Sequence, residues 1–482
     1  MPNPSSYRKL QVLALVGGLV GFGVVAAMRV AVSDLPAPIN TTNAQSSTTA
    51  ISPRTTPSPS ATSSQASSSS TAGSTTSSAE VVPGGDEGEV ESTPPPTVAD
   101  VVADFFVAPT TRGSGTGLSA EDAADIRRID ELIANASPDN VIELLADVGP
   151  YLVTESINLT SGGTPGHPIS IRGPLDGPRP ELRGNRSDPY DPLGEPGPPL
   201  FRLVGGASHL IFANLHCAQM GNGCFYVAAP ITDLVITDVT ATNVRRFFEN
   251  GSSEGQADAT IVGLTISSVE VSGFSKGAIR LGHDTHDVRI TDVVGDSMQD
   301  DGDNFAIGLH LLDSVHDVTI ERVTMNNARD TLHEYWNGDG FAAEVGVYNL
   351  LLVDTNASGN TDAGYDLKAS GVRLVNAAAH DNKRNFRLWG QNVVLEGCVG
   401  TDPELRGGTG TQAQVHLAES ADVLVAGGSF TDGDPATIVF DIDGSAHLVV
   451  QGAYVEHAGA AQLSTVEPLA SIQLMQVVTN IR

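Results

Sequence analysis

The segments LVITDV (234–239), LTISSVEV (264–271), VRITDV (288–293) and VTIERV (318–323) are four versions of one phrase. Shorter echoes follow at 350–353, 372–375, 393–395, 423–425 and 448–450, and the first residues of successive runs lie 21 to 32 positions apart. Apolar and polar residues tend to alternate within each run, and Gly, Asn or Asp separates the runs, which is the pattern of short strands rather than helices. A unit this short cannot bury its own apolar face, so successive units must stack and share one core. Nine positions beyond the start of a run stands Asn243, Gly273, Ser297, Asn327, Asp402, Asp432 or His457, with Asn360 and Asn382 one position later. Small polar residues at a fixed phase suit a repeated turn, and stacked once per coil they could form an internal hydrogen-bonded ladder. The expected fold is all-β: a right-handed parallel β-helix.

Upstream of the repeats, Ala123, Ile126, Ile129, Leu132 and Ile133 fall at helical spacing within 120–136, which predicts an amphipathic helix capping the open end of the solenoid. Coils are expected to begin with the run from Val141 through Tyr151, Ile157 and Leu159 to Ile169 and Ile171. Residues 35–97 are dominated by Ser, Thr and Pro and read as a disordered linker. Before them, an apolar stretch from Leu10 to Met28 follows Arg8 and Lys9, long enough to cross a bilayer. It reads as a transmembrane anchor or a cleaved signal segment, and either assigns the remainder to the outside of the cell. The organisation is therefore 1–34, membrane anchor or signal; 35–97, linker; 98–482, β-helix.

Across 482 residues, 26 basic and 57 acidic side chains give a formal charge of −31. That excludes a nucleic-acid binder working by bulk electrostatics. Three cysteines are too few for a disulfide framework. Cys217 and Cys224 enclose a short loop and suit either a small disulfide or buried thiols, whereas Cys398 reads as core.

Between each polar turn and the next run lies another short segment. Its outward positions, in chain order, are Arg280; Ala342 and Glu344; Asp366 and Lys368; Arg387 and Trp389; Gln414 and His416; Asp441 and Asp443. With coils about 4.8 Å apart, Asp366 should neighbour Arg387, and Lys368 should neighbour Trp389. Such a row of charge, amide and aromatic side chains suits a polysaccharide lying across the coils, although a solvated sheet face has the same composition. Asp339, Asp362 and Asp366 fall near one edge of adjacent coils, where three hard oxygen ligands could hold Ca²⁺ or simply bond turn amides.

Three segments carry a resemblance: GDGFAAE (338–344), NTDAGYDL (360–367) and NFRLWG (385–390). They resemble the core motifs of the family-nine pectate lyases, calcium-dependent β-helix enzymes that cleave polygalacturonate by β-elimination. The resemblance implies calcium ligands at Asp339, Asp362 and Asp366 and places Arg387 where that family has its lysine base. Ala363 replaces the second of the family's paired aspartates, which removes one implied ligand. The resemblance thus implies an exported lyase of acidic, uronate-containing polysaccharide. Arg387 would take the proton beside the carboxylate. Calcium, helped by Lys368 or Arg280, would neutralise that carboxylate, and Glu344, Trp389, Gln414 and His416 would contact sugar. Two alternatives share the fold. One is a glycoside hydrolase using Asp339 with the acidic cluster Asp296, Asp300, Asp301 and Asp303; the other is a non-catalytic carbohydrate-binding surface module. The sequence does not fix an oligomeric state.

Overall fold

The computed structural model describes residues 102–194, 197–251, 258–333, 336–459 and 462–482. The expected membrane or signal segment and the Ser/Thr/Pro-rich linker lie outside these residues. Among the described residues no helix is long and apolar enough to cross a membrane.

The repeated phrase forms one wall of a parallel β-solenoid. Leu234, Leu264, Val288, Val318, Leu350, Val372, Val393, Val423, Leu448 and Ile472 are successive register partners, one per coil. All strand pairs are parallel, so each coil hands its unpaired edge to the next. Phase-locked corners give each coil three strand segments. The corner inside the phrase holds Asn214, Asp238, Ser268, Asp292, Arg322, Asp354, Asn376, Gly397, Gly427, Gly452 and Gln476, with φ between 52° and 74°. Left-handed backbone at a fixed position is tolerated by Asn, Asp and Gly, and this is why an acidic or amide residue interrupts the apolar run.

The second corner divides the polar phase into two roles. Asn243, Gly273, Asn327, Gly359, Asp381 and Asp402 take left-handed backbone, whereas Asn360 and Asn382, one position later, turn fully inward. Asn360 Nδ2 donates to Asn382 Oδ1 at 2.8 Å, and Asn382 Nδ2 donates to Asn385 Oδ1 at 3.1 Å. Asn385 Nδ2 continues the ladder to Gln414 Oε1 at 2.8 Å. The ladder therefore exists beneath these coils, while Asn243, Gly273, Asn327 and Asp402 serve the bend and Ser297, Asp432 and His457 are buried without left-handed backbone.

Two expectations at the N-terminal end are corrected. Ala123, Ile126, Ile129, Leu132 and Ile133 are buried as the stripe requires, but the α-helix covers only Ile129–Asn135. The Asp125 carboxylate accepts from the Arg127 N–H and starts a 3₁₀ turn at Ile126, after the short strand Ala124–Asp125. The sheet also begins earlier than Val141, because Phe105–Ala108 pairs in parallel with Val141–Leu144. Cys217 and Cys224 form a disulfide, and Cys398 is a buried free thiol.

Candidate active-site face

The third wall contains Gly338–Ala343, Ala363–Leu367, Arg384–Leu388, Ala413–Leu417 and Ile438–Ile442. Inside it, the rings of Phe341, Tyr365 and Phe386 stack with centroids 4.9 and 5.2 Å apart. Each buried ring contributes roughly 1.5–3 kcal/mol, and together they fix which residues of the wall face outward. One outward row then follows from register alone: Arg280, His310, Ala342, Asp366, Arg387, His416, Asp441 and Thr465. Glu344, Lys368, Trp389 and Asp443 stand two positions further along their chains.

Asp339, Asp362, Asp366 and Arg387 converge as the sequence suggests. Arg387 Nη1 lies 3.2 Å from Asp362 Oδ2 and 3.9 Å from Asp366 Oδ2. Asp362 Oδ1 receives Arg384 Nη1 at 2.8 Å and faces Lys383 Nζ at 3.4 Å. Trp389 Nε1 donates to Asp366 Oδ1 at 2.7 Å, while the Arg387 guanidinium carbon sits 4.7 Å from the Trp389 ring centroid. Lys368 Nζ donates to both Glu344 oxygens at 2.9 and 2.8 Å and lies 3.5 Å from Asp366 Oδ2. Trp389 thus orients Asp366 and carries a cation on its ring, so it belongs to the cluster as well as to the face.

Burial, followed by the Asp366 and Asp362 charges, pushes the Asp339 carboxyl well above the usual range, although the Ala363 N–H and Arg387 oppose this. Asp339 Oδ1 accepts from that N–H at 2.8 Å. Burial also works against the Glu344 charge, but His310 and Lys368 outweigh it and hold that carboxyl down at about 2. Burial opposes the Lys368 ammonium, yet Asp366 and Glu344 raise its pKa. The imidazoles go the other way: burial lowers both His310 and His416, and Arg384 depresses His416 further. His416 Nε2 faces Asp443 Oδ2 at 3.1 Å, and among the described residues its Nδ1 has no hydrogen-bond partner.

The donor set does not suit a divalent cation. Both oxygens of Asp362 are engaged by side-chain cations, those of Asp366 by Trp389 and by contacts with Lys368 and Arg387, and Asp339 Oδ1 by the Ala363 N–H. Calcium would have to displace protein cations already seated on its ligands.

Other sequence expectations separate. Gln414 is not on the outer surface: it is fully buried, accepts from Asn385 and donates its Nε2 to the Thr431 carbonyl at 2.9 Å. The outward partner of Arg387 is His416, so Gln414 is two residues off the row and out of reach of a ligand. Arg280 is on the row but two coils before Ala342, bonded to Glu249 Oε1 at 3.3 Å. The acidic cluster serves the turns: Asp303 pairs with Arg245, Asp301 with Arg329, and Asp296 accepts from Asn327. Lys383 and Arg384, which the sequence offers with Arg280, Lys368 and Arg387 as a local basic patch, follow directly after Asn382 and both meet Asp362 on the neighbouring coil.

No protein-family model matches the chain, and no curated protein matches it. Among solved structures it is similar to pectate lyase Pel9A, at 16% identity and a TM-score of 0.44, over 72% of this chain and 77% of that one. It is also similar to the GH136 lacto-N-biosidase from Eubacterium ramulus, at 10% identity and 0.42, over 78% and 68%. A double mutant of the periplasmic alginate epimerase AlgG gives 10% and 0.46, over 78% and 84%. The likeness is one of fold. The chain is a parallel β-solenoid, as the strand register above establishes, and the chemistry of its site rests on its own residues.

Proposed function

We propose that this face binds an acidic, uronate-containing polysaccharide and cleaves it by β-elimination, a reading that assigns the solenoid to the outside of the cell. One observation carries it: in a chain of net charge −31, Arg387 of the outward row and Lys368 beside it join the buried cations Lys383 and Arg384 around Asp362, Asp366 and Glu344, next to a histidine whose pKa burial lowers. A uronate carboxylate seated there would be neutralised by Arg387 and Lys368, which lowers the cost of removing the adjacent C5 proton. The paired Arg387 suits this electrostatic role better than the role of base, because a guanidinium seldom surrenders its proton. The base we assign is His416: its Nδ1 is buried without a partner among the described residues, so it must be uncovered as substrate binds; it then takes the C5 proton, the released electron pair forms the C4–C5 double bond, and the glycosidic oxygen leaves C4 and takes a proton from water. Asp443 holds the His416 tautomer from the opposite nitrogen. Neutralisation by side chains takes the place that calcium holds in the sequence-based expectation.

A second reading is favoured by Asp339. A carboxyl whose pKa is raised, set beside two further carboxyl groups, Asp362 and Asp366, is the kind of pairing that hydrolysis of a glycosidic bond requires. One assay separates the two: incubation of the protein with polygalacturonate and alginate, with and without chelator, followed by ultraviolet absorbance and reducing ends. Elimination yields an absorbing unsaturated product that chelator does not suppress. Reducing ends without that absorbance support hydrolysis, and chelator-sensitive elimination restores calcium.

A further inference from the structure

The outward row continues toward the N-terminus beyond the cluster. From Asp366 the register partners run through Ala342, His310, Arg280, Glu249 and Tyr226 to Arg202 and Asn158. Arg246 joins this stretch by donating Nη1 to Glu249 Oε2 at 2.6 Å, and Arg280 Nη1 approaches Glu249 Oε1 at 3.3 Å. Two guanidinium groups therefore share one carboxylate. Arg202 donates to a neutral amide oxygen, Asn158 Oδ1, at 3.2 Å. Between Arg202 and Glu249 the half-buried Tyr226 presents its ring, and burial with the Glu249 charge keeps it an un-ionised phenol. In the other direction the sign reverses: past His416 come Asp441 and the half-exposed Asp443.

We infer that an acidic glycan occupies the N-terminal half of this face, from Arg387 back to Arg202, and does not extend past His416. The binding site is thus a one-sided run of subsites in which Arg280, Arg246 and Arg202 receive carboxylates and Tyr226 supports a sugar ring. The reacting bond lies at the C-terminal end of the run. This rests on the uronate reading of the face and adds its direction and extent. Between Arg280 and Arg202 three arginines stand against one carboxylate, and toward Arg387 the cations Lys368 and Arg387 stand against Glu344 and Asp366; the cationic excess on a strongly acidic chain concentrates and orients a polyanion. Asp441 and Asp443 repel it from the other side.

The test uses the full chain carrying Arg387→Gln, so that substrate is consumed far more slowly than it binds, and measures calorimetric binding of size-graded oligogalacturonates and oligoguluronates. Affinity should climb with chain length up to about seven sugars, since Arg202 lies seven register steps of about 4.8 Å from Arg387. Adding Arg202→Gln should weaken the longest oligomers by about 2- to 5-fold, within the range of one exposed charge pair, and leave trimers unchanged; Arg202→Lys should restore most of the loss. Length-independent affinity, equal weakening of trimers and long oligomers, or no binding of either series overturns the inference. Elimination is scored separately on the unsubstituted chain, so absent elimination with retained length-dependent binding rejects the lyase reading and upholds this one.

Discussion

Asp292 with Arg322 and Asp366 with Arg387 are products of the same repeat: a carboxylate on one coil and a guanidinium at the matching position of the next. The first pair is the better made, with Arg322 Nε and Nη2 at 2.7 and 2.8 Å from the two oxygens of Asp292, but its side chains are 48% and 46% exposed. The second is longer, at 3.9 Å, with side chains only 5% and 13% exposed. Distance alone would rank them wrongly. On the solvated wall, water and salt screen the attraction and leave roughly 0–1 kcal/mol. On the active-site face, desolvation makes each charge depend on its partners, so the network is costly to break and pre-organised to meet a charged ligand.

The largest effect expected from this contrast is on stability. Asp362→Ala strands Lys383, Arg384 and Arg387 and should cost about 3–5 kcal/mol in denaturant unfolding. A loss as small as that of a surface variant would remove the distinction between the two walls. Next comes rate: Arg387→Gln should lower turnover by about 10²- to 10³-fold, the scale for one donor to developing charge, with the melting temperature changed far less than by Asp362→Ala. Unchanged product formation would remove Arg387 from the reaction.

Two pH effects sharpen the comparison. The folded environment lowers the His416 pKa, so the acidic limb of kcat/KM should fall below the ordinary histidine value of about 6.5. Asp443→Asn removes an interaction that raises His416 and should move that limb to still lower pH. Asp339 has the opposite linkage: its folded pKa is raised, so the folded state binds the proton more tightly than the unfolded chain. Stability from that proton is present at low pH and is lost as pH rises from the ordinary carboxylate range toward the raised value. Asp339→Asn should therefore gain stability relative to the parent between pH 4 and pH 8, read as thermal midpoints at both values. The smallest effect is on the exposed wall, where Asp292→Asn should cost under about 1 kcal/mol and less still at high salt.

Much of the site row was legible because a parallel coil repeats phase. Ala342, Asp366, Arg387, His416 and Asp441 each follow an inward aromatic or aliphatic residue, and counting from that residue puts all five on one line. Gln414 shows where counting fails: it shares the phase of His416, but its side chain is fully buried and its amide completes the interior ladder begun by Asn360 and Asn382. Arg246 is not marked in the sequence because it lies in the continuous strand Ile231–Asn250, which has no turn to show where the third wall starts, and Arg202 and Tyr226 lie on three-residue strands ahead of the first repeated phrase. The helix was overextended because helical spacing of apolar residues does not reveal where Asp125 caps the backbone.

The amino-acid sequence by itself determined the solenoid, its corners and the identity of the outward row, since these depend on periodicity and on which residues accept left-handed backbone. Only the tertiary structure decided what the row does with its charges. Whether Asp362 faces water, a metal ion or three protein cations depends on side chains arriving from different coils. Whether Asp339 keeps its proton depends on how completely those neighbours exclude solvent. Both are properties of packing, and a linear pattern carries neither.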